Sequence, residues 1–155
     1  MTPAPYGRLR LPEIPIVLFG FALNFLWEVI QCPHLFVGMG DMSHAEGVRM
    51  CLQATLGDVN ILLCAFWGTA LLSRRHRGWV LEPERWERAL FVAIGVGVTV
   101  VYELLATQVW DRWTYSEAMP VVFGVGLAPV AQWLVIPPLV LWLLRRQAPA
   151  AATAG

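Results

Sequence analysis

The sequence predicts an all-α membrane protein, a four-helix transmembrane bundle with both termini in the cytoplasm. Three observations carry that expectation. The first is composition: of 155 residues, 57% are hydrophobic and only 14% charged, with a mean hydropathy of +0.58, whereas soluble domains run at about 45–50% apolar and about 25% charged. The second is that four apolar stretches, about 14–31, 51–73, 89–110 and 119–144, each approach the ~20 residues that cross a hydrocarbon core as helix. The third is the placement of arginine. All basic residues are arginines, and nine of them (Arg8, Arg10, Arg74, Arg75, Arg77, Arg85, Arg88, Arg145 and Arg146) flank the bundle on one side, against Arg49 and Arg112 on the other. Basic loops stay in the cytoplasm, so both termini and the middle loop are expected there, in a multi-pass protein of the cell membrane.

The first stretch follows Arg8 and Arg10 but has no small-x-small cleavage site and carries Asn24 and Glu28, so it reads as a retained span. The second and third are uninterrupted. The fourth is long and holds Pro120, Pro129, Pro137 and Pro138, which predict kinks or local unwinding. Trp79, Trp86, Trp110, Trp113, Tyr115 and Trp142 fall near the expected ends, as an interfacial aromatic belt would. Gly95–Gly97 and Gly124–Gly126 read as close helix packing through small residues. Residues 1–146 form one domain in this reading, and the small, polar 147–155 a disordered tail.

Composition also limits function. Eleven acids balance the arginines, so nothing points to nucleic acid. Cys32, Cys51 and Cys64 lack C-x-x-C spacing, which leaves no zinc or redox motif. Cys32 and Cys51 both fall at the outer face, where either a disulfide or two free thiols is open. The intervening loop, with Gly38, Gly40 and Gly47, reads as a flexible lid. Its Asp41, His44 and Glu46 could bind a metal, and its methionines with His34 and His44 could suit copper, but the spacing matches no closed site and no metal or cofactor is expected.

The chemistry lies in the acids. At about 1.5 Å rise per residue, Glu28 falls about 5 Å inside the outer boundary of span one, and Asp58 and Glu103 about 10 Å inside spans two and three. Gly20, Asn24, Glu28 and Gln31 share a helical face. So do Thr99, Tyr102, Glu103 and Ala106. Asp58 lies on a stripe with Ala54, Ile61, Ala65 and Gly68, and span four has a small-residue stripe of Gly124, Ala128 and Ala131 beside Gln132. An ionisable side chain at such depth costs at least about 2.5 kcal/mol and normally faces the bundle interior or a wet cavity. The expectation is one acidic pocket open to the outer leaflet. Glu28, Asp58 and Glu103 are its candidate catalytic residues, and Asn24, Trp27, Gln31, Tyr102 and Gln132 would contact substrate. Trp113 and Tyr115 of the last outer loop are expected only to anchor it.

Asn24-x-x-Trp27-Glu28, on an early span and followed by Pro33, resembles the Asn-x-x-Trp-Glu stretch of the integral membrane terpene cyclases of meroterpenoid biosynthesis. The resemblance covers about a dozen residues. It implies that Glu28 protonates an epoxide on a prenyl tail to start cyclisation, with Trp27 facing the developing carbocation. That family has seven spans and a second essential acid in its last helix. This chain has four spans and offers Gln132 there, so Asp58 or Glu103 would have to serve instead.

Three classes of function follow. One is an enzyme doing acid–base chemistry, of the cyclisation or isomerisation type, on an isoprenoid or other lipophilic molecule. Another is a small transporter or lipophile-binding protein that uses the same acids, built as a homo-oligomer. The last is a structural subunit of a larger membrane complex.

Overall fold

The structure, a computed structural model, describes residues 11–38 and 41–147. Arg8, Arg10, Met39, Gly40 and the tail from residue 148 lie outside the described residues. Four long helices dominate: α1 (Glu13–Leu35), α2 (His44–Ser73), α3 (Arg85–Gln108) and α4 (Leu127–Gln147). Each is long and apolar enough to cross a membrane. A 3₁₀ turn (His76–Val80) joins α2 to α3, and a two-stranded hairpin of β1 (Val121–Val122) and β2 (Val125–Gly126) precedes α4. Around the bundle α1 packs on α2 and α4, and α3 packs on the same two. The start of α1, the end of α4 and the middle connection therefore lie at one end, which carries Arg74, Arg75, Arg77, Arg85, Arg88, Arg145 and Arg146. The hairpin lies at the other.

Local sequence explains the helix limits. Ser43 and Glu46 form a reciprocal capping box that starts α2 at His44, a full two turns before the apolar run at Cys51. The helix therefore absorbs Gly47, which sequence reading had assigned to a flexible loop. Glu84 and Glu87 cap α3 in the same way, satisfying amide donors that the first turn leaves free. Pro33 sits inside α1, which continues to Leu35.

The fourth span differs most from expectation. Met119–Gly126 is not helical, because Val121 pairs with Gly126 and Val122 with Val125. Both turn residues between them, Phe123 (φ 51°) and Gly124 (φ 81°), have positive φ, the pattern of a type I′ hairpin turn. Gly124 therefore serves a turn rather than helix packing. Gly95 does serve packing: a Cβ there would overlap the indole ring of Trp133. Pro129 falls in the first turn of α4, where its missing N–H costs nothing, whereas Pro137 and Pro138 lie inside the helix and remove two intrahelical donors.

The apolar core fills the half of the bundle nearer the arginine end, around Leu62, Phe66, Phe91, Ile136 and Val140. Trp79 belongs to it rather than to an interfacial belt. Its ring lies against Phe66 and Phe91, and its Nε1 donates to the Phe66 carbonyl at 3.3 Å. Trp86, Trp110 and Trp142 remain half exposed. Ion pairs close this end. Arg75 reaches Glu84 at 3.3 Å and Glu87 at 3.0 Å, and Arg77 reaches Glu13 at 3.0 Å.

Candidate active site

The half of the bundle nearer the hairpin is polar inside. On α1, the i, i+4, i+8, i+11 spacing of Gly20, Asn24, Glu28 and Gln31 places all four on the buried face. The buried stripe of α3 contains Thr99, Glu103 and Ala106. That of α4 is Gln132, Ile136 and Val140 rather than the expected small residues. On α2 the buried stripe runs through Cys51, Thr55, Val59 and Leu62. Asp58 stands at its edge and is only part-buried, and Ala54, expected inside, is exposed.

Gln132 is the hub. Its Nε2 donates to Asn24 Oδ1 at 2.7 Å and to Asp58 Oδ2 at 2.9 Å, tying α4 to α1 and α2. Asn24 in turn donates to the Gly20 carbonyl at 2.7 Å. Glu28 is held from its own helix: Gln31 Nε2 donates to Oε1 at 2.8 Å, and the Cys32 thiol to Oε2 at 3.1 Å. Gln31 also accepts from Trp27 Nε1 at 2.8 Å. The three carboxyls are close enough for their charges to interact, Asp58 with both Glu28 and Glu103, and Glu28 with Glu103. Among the described residues no arginine forms an ion pair with Glu28, Asp58 or Glu103.

Glu103 is held by the loop after α3. Tyr115 donates a short hydrogen bond to Glu103 Oε2, and Trp113 Nε1 donates to the same oxygen at 3.4 Å. The Tyr115 hydroxyl also accepts from the Gly126 amide at 3.1 Å. Burial first, and then its bond to Glu103, pushes the Tyr115 phenol above the ordinary tyrosine range, so it is a neutral donor at physiological pH. The loop is strapped to the end of α1. Val37 N–H donates to the Thr114 carbonyl at 2.9 Å, Ser116 N–H to Leu35 at 3.0 Å and Ser116 Oγ to His34 at 2.8 Å. The Phe36 ring packs edge-on to Trp113 and tilted on Tyr115.

Two expectations therefore change. Trp113 and Tyr115 are partners of a buried carboxyl rather than mere anchors. Tyr102, expected in the site, sits outside it, more than a third exposed. There it accepts from Arg112 at 3.1 Å and packs against Trp110 and Trp113. One turn from Glu103, the hydroxyl of buried Thr99 has no hydrogen-bond partner, and neither has Nε1 of Trp133 beside Gln132.

Cys32 and Cys51 are both buried and lie beside each other as thiols, with no bond between their sulfurs. Among the described residues no group of three or more His, Cys, Asp or Glu is placed to hold a metal ion. Cavities of ≈ 440 Å³, against Asp41, Met42, Glu46 and Arg49, and ≈ 310 Å³, against Arg75, Gly78 and Leu81, include no member of the acid cluster.

No protein-family model, curated protein or solved structure matches the chain.

Proposed function

We propose that this protein is a membrane-embedded enzyme using a carboxylic acid cluster for proton transfer to and from a lipid-soluble substrate, in a cyclisation or isomerisation. The observation that carries this reading is the convergence of Glu28, Asp58 and Glu103 from three helices. They meet at one level of the bundle, hydrogen-bonded by Gln132, Gln31, Cys32, Trp113 and Tyr115 and without a cation. Carboxyls crowded in this way share protons, and a carboxyl that keeps its proton at neutral pH is a suitable general acid.

Roles follow from surroundings. Glu28, within reach of Trp27 through Gln31, is the proton donor, as the Asn24-x-x-Trp27-Glu28 resemblance to membrane terpene cyclases also implies. Glu103 and Asp58 accept or relay the proton, and the half-buried Trp27 faces the reacting end of the substrate. The excess of arginine at one end supports an orientation with both termini in the cytoplasm and the acids in the outer half of the bilayer.

The test begins with mass spectrometry of lipids co-purifying with the protein. The molecule so identified is then incubated with wild type and with Glu28→Gln. Loss of turnover with unchanged detergent stability supports the enzyme. Turnover by Glu28→Gln at the wild-type rate refutes the assignment.

A second reading has its own observation, the Asn24–Gln132–Asp58 bridge, which fastens three helices. Under that reading Glu28→Gln, Asp58→Asn and Glu103→Gln lower stability and nothing else.

A further inference from the structure

The four helices do not enclose the acid cluster equally. Glu28, Glu103, Asn24 and Gln132 are all buried to 6% exposure or less. Asp58 is densely surrounded but keeps more exposed surface than the other two acids, and its Oδ2 receives a hydrogen bond from Gln132. The reason lies in the seam between α2 and α3. Near the arginine end this seam is tight, since Gly68 lies against Ile94, whose Cδ1 would stand 3.1 Å from a Cβ at Gly68. Toward the hairpin end the two facing stripes open. On α2 the stripe runs from buried Ala65 through part-buried Ile61 and Asp58 to exposed Ala54. On α3 the positions one and two turns on from Ile94 are Val98, 40% exposed, and Val101, 57% exposed. Gly57 keeps open space around its Cα. No connection crosses this seam at the hairpin end, because α2 is joined there to α1, and the strap from Phe36 to Tyr115 joins α1 to the loop after α3.

A second observation concerns the interior. Thr99 Oγ1 and Trp133 Nε1 are buried on the elements that carry Glu103 and Gln132, yet neither has a partner. Buried donors without partners are rare and costly, and a small polar group arriving from outside would satisfy them.

We propose that the gap between α2 and α3 is a lateral portal through which a lipophilic molecule with a hydroxyl or carbonyl head leaves the bilayer and reaches the acid cluster, meeting Asp58 first. The proposal deepens the enzyme reading and rests on it for what happens next, but the portal is testable without any activity.

The probe is dicyclohexylcarbodiimide, a membrane-soluble reagent for protonated carboxyls. The carboxyl oxygen bonds to the central carbon of the carbodiimide and the carboxyl proton moves to one of its nitrogens. Addition is complete with no leaving group, and the adduct is located by mass spectrometry. In wild-type protein in lipid bilayers, Asp58 should be labelled at least about tenfold faster than Glu28 or Glu103. A cationic water-soluble carbodiimide should label it at least about tenfold more slowly than the lipophilic one. A side chain at position 58 leans toward position 54, one turn nearer the helix start, so Ala54→Phe should cover the portal and slow labelling at least about fivefold. Leu56→Phe, on another exposed face of α2, should leave the rate unchanged.

Labelling of Glu28 or Glu103 ahead of Asp58, no labelling of Asp58, or an unchanged rate in Ala54→Phe overturns the portal. None of these outcomes depends on turnover, so the portal and the enzyme reading fail separately. A portal without turnover leaves a lipophile-binding protein, and turnover without Asp58 labelling leaves an enzyme fed by another route.

Discussion

Replacing Gln132 with leucine tests the hub of the polar half directly. The exchange is close to isosteric, so little cavity is created, and its cost comes from hydrogen bonds. Gln132 gives up two of them, at 2.7 and 2.9 Å. Side-chain bonds between membrane helices average about 0.6 kcal/mol and reach about 1.7 kcal/mol, so the pair is worth about 1–3 kcal/mol. Asn24 Oδ1 then remains buried without a donor, which adds about 1–3 kcal/mol. A loss of about 2–6 kcal/mol is expected, measured by reversible unfolding in mixed detergent and lipid. Asn24→Ala removes one partner of the same bond. The double variant should therefore cost at least about 1 kcal/mol less than the sum of the singles, since coupled residues depart from additivity by about 0.5–3 kcal/mol. A Gln132→Leu protein within about 0.5 kcal/mol of wild type, or a strictly additive cycle, would refute the hub.

Other expectations follow from single contacts. Gly95→Val should destabilise by at least about 1–3 kcal/mol, the usual overpacking cost, because its side chain would overlap Trp133. Gly97→Val, two residues on and facing open space, should not, and equal losses at both sites would contradict the close-packing account. For Tyr115 the folded-state value is raised above the unfolded one. Its contribution to stability is thus full below about pH 10 and disappears as pH rises through the folded value. The ultraviolet tyrosinate difference between wild type and Tyr115→Phe should emerge only above the ordinary range, and emergence at or below about pH 10 would remove the buried bond to Glu103. Phe123 is 97% exposed at φ 51°, a conformation that asparagine adopts more readily. Phe123→Asn should raise unfolding stability in detergent, and a loss there would show that the phenyl ring carries a contact of its own.

Much of the architecture was legible because lipid leaves few alternatives. Four apolar runs must be helices, since only helices and closed barrels satisfy the backbone in hydrocarbon. The buried positions of Glu28, Glu103 and Gln132 were legible because helical period and depth together assign a place to a polar side chain. What escaped sequence reading depends on loops. Trp113 and Tyr115 reach Glu103 only because residues 112–118 fold back and pair with Leu35–Val37, and no period records that return. The one available signal was a pair of aromatic donors, Trp113-x-Tyr115, next to a helix bearing an unneutralised acid. The hairpin at Val121–Gly126 was hidden because a short apolar run of valines suits helix and strand alike, and because Phe123 is not a usual residue for the first position of such a turn. Tyr102 was misplaced for a subtler reason. It precedes Glu103 by one position, and 100° of rotation carries it out to Arg112 and the exposed aromatics.

The division of the bundle into a polar half and an apolar half bears on what the acids can do. From Asp58 toward the arginine end, α2 presents Leu62, Ala65 and Phe66 to the interior, and Phe91, Ile136 and Val140 face them. Thr69, buried at that end, is the next interior polar group on α2, and Glu87 is the next on α3 beyond Thr99. Asp58 and Thr69 are eleven residues apart, about 16 Å along the helix. A proton crossing one bundle would have to traverse that packed apolar layer, which among the described residues offers no side-chain acceptor. Protein reconstituted into liposomes and loaded with a pH-sensitive dye should therefore leak protons no faster than protein-free liposomes. Flux that disappeared in Asp58→Asn and Glu103→Gln would refute the barrier and make the cluster one station of a transmembrane path. With the barrier intact, protons reach the cluster from the hairpin end and the lipid side alone, which is what the proposed acid–base chemistry needs.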